Sequence, residues 1–260
     1  MARLQVGDAR LRVQETGSGP ALVLVHGLGA SLEDWEYQVP TFAAHFRVVT
    51  LDLRGFGQST RGSGPITIAR FAADVWEVLQ QLGIRECALI GHSMGGAVCL
   101  QLALDHPGAV QRMVIANSVP SFRPERLGQR IEVWYRLLAM CTLGPRKLSE
   151  IAAVRMFPGS GQAHLRERTV ERGQRNTRLS YLKALRALTR WSVVGRLAEL
   201  RLPVLVAAAE FDYFSRADTL RFAHALPRGR LHTFRHTRHG LPLEAPEAFN
   251  AVVIKFLRGR

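Results

Sequence analysis

The sequence has few cysteines, three among 260 residues, and their spacing fits neither a metal site nor a disulfide framework. Cys87 and Cys99 lie in apolar segments and Cys141 ends a third one, so we expect reduced cysteines in a cytoplasmic protein. The first residues lack the apolar region of a secretory signal, and no apolar run approaches the length of a membrane span. These absences disfavour secreted, disulfide-rich and membrane-spanning classes of protein.

Acidic residues are scarce beside basic ones, since 21 Asp and Glu oppose 35 Lys and Arg and the formal net charge is +14. Residues 123–196 alone contain 16 Lys and Arg against 5 Glu and no Asp, a net charge of +11. Solvated, arginine-rich helix faces are the simplest explanation. An anionic partner stays open, either an acidic substrate or a weak contact with an anionic membrane. No nucleic acid partner is expected, because no aromatic interleaving or binding motif accompanies the charge.

Apolar runs of strand length alternate with helical patterns over most of the chain. This alternation predicts an α/β fold with a mostly parallel, doubly wound sheet. Helices are predicted over about residues 35–44, 67–83 and 94–106. Eight strands are predicted, over residues 3–6, 10–15, 21–25, 46–51, 87–90, 111–115, 204–208 and 231–234.

The alternation stops between residues 121 and 196, where only helical periodicity remains. One apolar stripe of this region consists of Ile131, Trp134 and Leu138. The sequence therefore predicts three segments. They are a first part of the α/β core (1–120), a helical cap inserted into it (121–196, the helical insert) and a second part of the core (197–260).

A serine stands between glycines in the segment Gly91-His92-Ser93-Met94-Gly95, which follows a predicted strand and precedes a predicted helix. A serine on a sharp turn in this setting is typical of a nucleophile elbow. Glycine removes the side chains that would collide across such a turn. Serine is a weak nucleophile that needs a base beside it. Ser93 is therefore the predicted nucleophile, and an acid and a histidine should follow it along the chain.

Carboxylates and histidines follow the last two predicted strands, in the expected order. We predict Asp212 as the acid, with Glu210 as the second choice. His232, His236 and His239 are candidate bases, and we predict His239 because it lies deepest in the loop before the C-terminal helix. A metal site built from the three histidines is disfavoured, because no cysteine or carboxylate completes a ligand set.

A second glycine-containing turn, HGLGAS at residues 26–31, follows the first buried strand. Its glycines allow the backbone to approach a substrate oxygen closely. We predict that the backbone N–H groups of Leu28 and Met94 form an oxyanion hole. The alternative is an ordinary turn between a strand and a helix.

These motifs make the sequence resemble the α/β-hydrolase family over essentially its whole length. The resemblance is to the compact bacterial branch with a helical cap, which includes enol-lactone hydrolases, esterases, cofactor-free haloperoxidases and carbon–carbon bond hydrolases. It implies that the loop 52–59 is scaffolding near the mouth of the active site. The matching segments are His26-Gly27, DLRGFGQS at 52–59, GHSMGG at 91–96, Asp212, and HGLPLEAPEAFN from His239.

The chain departs from the family pattern at Ala209 and Arg238, where glycine is common, and Arg238 could bring a positive charge near the site. The triad stays complete, so the prediction is a serine hydrolase that cleaves a small-molecule ester or lactone through an acyl-enzyme on Ser93. No cofactor or metal is required. Carbon–carbon bond hydrolysis and thioesterase or lysophospholipase activity are alternatives on the same triad. Outside enzymes, the alternative is a ligand-sensing protein that keeps the pocket without the chemistry.

Overall fold

The computed structural model describes residues 2–259, and its central feature is a sheet of eight strands. The strand order is β1-β2-β4-β3-β5-β6-β7-β8, in which β2 pairs antiparallel with β1 and β4 and the other pairs are parallel. The eight predicted strands and the mostly parallel, doubly wound sheet are confirmed. The strands are β1 (Ala2–Val6), β2 (Ala9–Thr16), β3 (Ala21–Val25), β4 (Arg47–Leu51), β5 (Cys87–His92), β6 (Val110–Ala116), β7 (Val204–Ala209) and β8 (Gly229–Phe234).

Helices connect the strands, and within residues 2–259 none is long and apolar enough to cross a membrane. The helix predicted over residues 35–44 is instead a 3₁₀ turn and a short helix, because the ring of Pro40 prevents a continuous helix through the residues before it. The α-helices are α1 (Val39–Ala43), α2 (Ile68–Gln81), α3 (Met94–Asp105), α4 (Leu127–Thr142), α5 (Gly144–Met156), α6 (Ala163–Gly173), α7 (Arg178–Leu188), α8 (Arg216–Ala225), α9 (Leu241–Glu244) and α10 (Pro246–Leu257). The 3₁₀ helices cover Leu32–Trp35, Ser160–Gln162 and Val194–Glu199.

Both faces of the sheet are buried. Successive strand residues point to opposite sides, and each side packs into its own core cluster. In β3, Val23 and Val25 pack into the cluster that contains α2 and α3. Leu22 and Leu24 of the same strand pack into the cluster that contains α1 and α10. This two-sided burial explains why the parallel strands are continuously apolar in the sequence.

The helical insert contains α4 to α7 and lies between β6 and β7. An isolated antiparallel bridge joins Ser121 to Ser192 at its two ends. Beside this bridge, the Phe122 N–H donates to the Trp191 carbonyl at 3.2 Å. The insert therefore leaves and rejoins the core at one place, while its status as a separate cap with these boundaries stays a prediction.

Arginines of α6 and the turn after it attach the helical insert to the core. Arg172 Nη1 lies 3.1 Å from Asp34 Oδ1, and Arg172 Nη2 lies 2.7 Å from Glu36 Oε1. Arg175 Nη1 lies 2.8 Å from Glu33 Oε2. Part of the positive charge of the insert thus faces core carboxylates. The expectation of solvated helix faces is wrong for Arg172, which is buried, whereas Arg175 is paired but still exposed.

A buried ion pair attaches the loop 52–59 to α2. The Arg54 side chain is fully buried, and its Nη2 donates to Asp74 Oδ1 at 2.8 Å. Its Nη1 donates to Asp8 Oδ1 at 2.7 Å. A buried guanidinium needs such partners, because a charge removed from water without compensation is strongly destabilising.

We expect Arg54→Met to destabilise the protein strongly, because Asp74 would remain buried and, within residues 2–259, would keep Arg70 as its one basic partner. Removal of one partner from a buried pair typically lowers the free energy of unfolding by about 3–5 kcal/mol. Urea denaturation followed by circular dichroism measures this loss. The control is Arg186→Met on the exposed side of α7, which should change stability by less than about 0.5 kcal/mol. Equal effects of the two substitutions would contradict the importance of the pair.

Candidate active site

Ser93 lies on the sharp turn between β5 and α3, with φ 53° and ψ −119°. A positive φ is strained for a residue other than glycine, and such strain is concentrated at functional sites. Two backbone hydrogen bonds hold the turn: the Ser93 N–H donates to Ala116 O and the Gly96 N–H donates to Ser93 O, both at 2.9 Å. The turn presents the half-buried Ser93 side chain at the carboxyl edge of the parallel strands.

The glycines around Ser93 are required by close backbone contacts. A Cβ atom on Gly91 would lie 2.4 Å from the carbonyl oxygen of Gly95. A Cβ atom on Gly95 would lie 2.1 Å from the carbonyl oxygen of Val25, at the end of β3. The first turn of α3 therefore touches the end of β3 directly, which a larger residue would prevent.

Ser93, His239 and Asp212 form a continuous hydrogen-bonded chain. His239 Nε2 lies 3.0 Å from Ser93 Oγ, and His239 Nδ1 lies 2.6 Å from Asp212 Oδ1. The Asp212 side chain has no exposed surface, and that of His239 is 10% exposed. Because a carboxylate can only accept, Nδ1 carries the hydrogen and Nε2 is free to accept from the Ser93 hydroxyl. The arrangement can therefore take the proton from Ser93 and stabilise the resulting imidazolium.

The other candidate residues lie elsewhere. Glu210 Oε2 accepts the backbone N–H of His236 at 2.7 Å, so these two residues stabilise the loop after β8. His232 is exposed on β8, with its ring 4.6 Å from that of Phe234. Among the described residues, no cluster of His, Cys, Asp and Glu could hold a metal ion. Of the predicted acids and bases, the structure brings Asp212 and His239 to Ser93.

The loop 26–31 passes beside Ser93, since a Cβ atom on Gly27 would lie 3.2 Å from Ser93 Cβ. Leu28 follows in this loop, and Met94 begins α3. Within residues 2–259, the backbone N–H groups of Leu28 and Met94 make no hydrogen bond. Both donors are therefore available to an oxygen atom held against Ser93.

The loop that contains Leu28 is held by two buried side chains. His26 Nδ1 donates to Gly27 O at 2.8 Å, and His26 Nε2 accepts the Leu53 N–H at 3.0 Å. Burial lowers the pKa of His26, so the ring stays neutral as this pattern requires. Asp52 Oδ1 accepts the Leu32 N–H at 2.8 Å. These contacts connect the loops 26–31 and 52–59, in line with the scaffolding role that the resemblance implies.

Two residues that the sequence analysis missed hold the histidine loop. Asn117 Nδ2 donates to His239 O at 2.9 Å, and Asn117 Oδ1 accepts the Ala209 N–H at 2.9 Å. His92 Nε2 donates to the same His239 oxygen at 2.7 Å. Burial, and then the nearby His239, lowers the pKa of His92 to about 3, so His92 is neutral. The signal for Asn117 was present, since it is a polar residue directly after a buried strand.

Two tyrosines, also missed from the sequence, flank the hydrogen-bonded chain. The Tyr213 ring lies 4.4 Å from the His239 ring. Tyr181 of α7 packs against the loop 26–31, since a Cβ atom on Gly29 would lie 3.2 Å from its ring. The tyrosines thus flank the two sides of the site, one beside His239 and one beside the loop that contains the Leu28 N–H.

Arg136 of α4 lies between these tyrosines. Its Cζ is 5.6 Å from the Tyr213 ring centroid, and its Nε donates to Glu132 Oε1 at 2.8 Å. Burial alone would lower the pKa of Arg136, but Tyr181, Glu132 and Tyr213 raise it. The helical insert therefore holds a stable cation next to the site.

The sequence profile of the α/β-hydrolase fold matches residues 20–246. This chain therefore belongs to the α/β-hydrolase family and is a hydrolase of that fold.

Individual relatives are similar over nearly the whole chain. A protein named as the carbamate hydrolase RutD of Variovorax paradoxus is 31% identical, and the match covers 94% of each chain. The (E)-2-((N-methylformamido)methylene)succinate hydrolase of Acinetobacter baylyi is 29% identical, over 94% of this chain and 92% of that protein. Among solved structures, the enol-lactonase from Burkholderia xenovorans LB400 has a TM-score of 0.89 and 25% identity, with 99% and 100% coverage.

We expect Gly95→Ala to damage both stability and activity, because the new Cβ would push α3 away from Val25. Overpacking of this kind typically destabilises by about 1–3 kcal/mol. Gly128→Ala is a matched control, since Gly128 is also the second residue of its helix but has no atom near its Cβ position. It should be neutral or stabilising by up to about 1 kcal/mol. Thermal unfolding and ester turnover measure both variants, and an active, stable Gly95→Ala protein would contradict the close contact.

Proposed function

We propose that this protein is a serine hydrolase that cleaves an ester-like bond, a carboxylic ester or a lactone, through an acyl-enzyme on Ser93. The observation that carries the proposal is the hydrogen-bonded chain from Ser93 through His239 to Asp212, beside two free backbone N–H groups. A nucleophile, a base, an orienting acid and oxyanion donors are the parts that acyl transfer requires.

In the proposed mechanism, His239 Nε2 accepts the proton of Ser93 as Oγ attacks the carbonyl carbon of the substrate. Asp212 keeps the ring in the correct tautomer and stabilises its positive charge. The N–H groups of Leu28 and Met94 hold the oxyanion, each contributing about 3 kcal/mol when well placed. His239 then gives the proton to the leaving oxygen, and water cleaves the acyl-enzyme by the same steps.

The names of the relatives are those of hydrolases and differ in the substrate class. They name an enol-lactone, a carbamate and a methylformamido-methylene succinate. We place esters and lactones first because an alkoxide leaves more readily than an amide anion. Carbamates are the second candidate, on the strength of the carbamate-hydrolase relatives.

We expect Ser93→Ala to lower kcat by about 10⁴- to 10⁶-fold on any ester that the wild type cleaves, with the fold intact. A fluorophosphonate probe should label wild-type Ser93 and leave Ser93→Ala unlabelled, as read by peptide mass spectrometry. Labelling at another residue would refute the assignment of the nucleophile.

Matched substitutions in the same loops serve as controls. His239→Ala and Asp212→Asn should approach the loss seen for Ser93→Ala, because triad members act as a unit. His236→Ala and Glu210→Gln should retain most activity, since both residues lie outside the hydrogen-bonded chain. A larger loss in His236→Ala than in His239→Ala would show that the base is wrongly assigned. A larger loss in Glu210→Gln than in Asp212→Asn would show the same for the acid.

We also propose that the substrate is anionic and that Arg136 binds its charge. Arg136 contacts Tyr213, whose ring lies beside that of His239. Within residues 2–259, the one carboxylate paired with Arg136 is that of Glu132, which is shared with Arg155. Its side chain is 22% exposed, so the charge is only partly screened by water. The succinate in the name of the Acinetobacter relative is consistent with a carboxylate-bearing substrate.

Arg136→Gln should lower kcat/KM for a carboxylate-bearing ester by about ten- to a hundredfold, the value of a charge-assisted hydrogen bond. A neutral ester of similar size should change little, because it makes no contact with the guanidinium. Arg130→Gln, on the exposed side of the same helix, is the control and should affect neither ester. Equal losses for both esters in Arg136→Gln would indicate a structural role instead.

A further inference from the structure

One face of α4 exposes a continuous row of large apolar side chains. Leu127 is 73% exposed, Ile131 59%, Trp134 72% and Leu138 64%. Their spacing of four, three and four residues places them on one side of the helix, as an outer stripe. Single exposed apolar residues are ordinary, but a contiguous row in a soluble domain marks an interaction site. Two observations show that the stripe is free for a partner and which kind of partner fits it.

The first is that the fold does not need the outer stripe. The opposite side of α4 supplies the packing contacts, with Ala139 and Met140 buried against α5 and α7. Arg136, on the same inner side, reaches toward Tyr213. The outer stripe is therefore a second apolar surface on a helix that is already packed.

The second is the positive charge around the outer stripe. Arg130 is exposed between Leu127 and Trp134 along the helix. Arg155 lies 5.2 Å from the ring of the neighbouring Tyr135, and Arg178 Nη1 donates to Cys141 O at the C-terminal end of the helix, at 2.9 Å. At the N-terminal end of the helix, Glu125 is acidic and Asp218 Oδ1 lies 3.1 Å from Arg126 Nη2. Glu132 is already paired with two arginines, and Arg130 has no such acidic partner among residues 2–259.

We propose that the outer stripe of α4 docks on an anionic membrane surface, independently of the reaction at Ser93. Tryptophan and leucine side chains would enter the boundary between headgroups and acyl chains, and the surrounding arginines would bind lipid phosphates. A second copy of the chain fits the outer stripe less well. Self-association would bring two basic inserts together, whose excess of arginine exceeds the ion pairs made with the core, whereas an anionic surface neutralises that charge.

Docking in this way would bring the catalytic site close to the membrane. A helix with its side chains is about 10 Å across, and the inner side of α4 faces Tyr213 and His239. A substrate that partitions into the membrane surface would then be separated by about one helix diameter from the inner side of α4, where Arg136 contacts Tyr213.

The test is co-sedimentation of the full-length protein with phosphatidylcholine vesicles, with and without phosphatidylglycerol. The wild type should bind the anionic vesicles at low salt and dissociate as salt rises. The variant Trp134→Glu/Leu138→Glu should lower the ratio of bound to free protein at least about tenfold, because it places two charges in the contact. Val194→Glu is the control, because Val194 is 55% exposed but lies outside α4. Vesicle binding by this variant should stay at the wild-type level.

A second measurement leaves the outer stripe unchanged. Cys141 is exposed at the C-terminal end of this stripe, while Cys87 and Cys99 are buried. A thiol-reactive, polarity-sensitive dye should therefore label Cys141 selectively. Its emission should shift to the blue with anionic vesicles only. Turnover of a soluble neutral ester should be unchanged in the double variant, which separates this proposal from the function proposed above.

Absence of wild-type binding at low salt, or an equal loss in Val194→Glu, would overturn the proposal. So would sedimentation velocity showing a wild-type dimer and a monomeric double variant without vesicle binding, which would identify a second copy as the occupant.

Discussion

The contact between the first turn of α3 and the end of β3 is the constraint on which the site depends. Because Gly95 has no side chain, the helix begins directly against the carbonyl of Val25. That approach forces Ser93 into its left-handed conformation and brings the Met94 N–H next to the loop that leaves the same strand. One backbone contact thus positions the hydroxyl and both free N–H donors, and the histidine loop only has to reach a point that is already fixed.

The parts of the structure that local patterns encode could be predicted from the sequence. Strands were visible as apolar runs, and Asp212 and His239 were predicted from their order after the serine and from their positions behind the last two strands. Asn117 was visible as a polar residue after a buried strand, but its role could not be predicted. It contacts Ala209 and His239, which lie 92 and 122 positions later in the chain. Tyr213 and Arg136 were missed for the same reason, since their partners belong to different parts of the chain. The interrupted helix around Pro40 was a local signal that the analysis overlooked.

The helical insert shows a different limit. Periodicity identified the apolar stripe of α4 but not whether the stripe faces the core or the solvent. Both orientations of the helix give the same pattern in the sequence. Charge was equally ambiguous. Composition gave a net excess of arginine, yet only the fold shows that Arg172 and Arg175 lie against acidic residues of the core. Their attraction links the insert to the segment that follows the Leu28 loop.

The bridge between Ser121 and Ser192 has a consequence for divergence within the family. A segment that enters and leaves through a single pair of adjacent residues can lengthen, shorten or be exchanged without any change in the register of the sheet. Ser93, Asp212 and His239 all follow strands of the sheet, so under the proposed function reactivity and substrate choice would be encoded in separate stretches of the chain. New substrate preferences would then arise by recombination of the insert alone, with these three residues untouched.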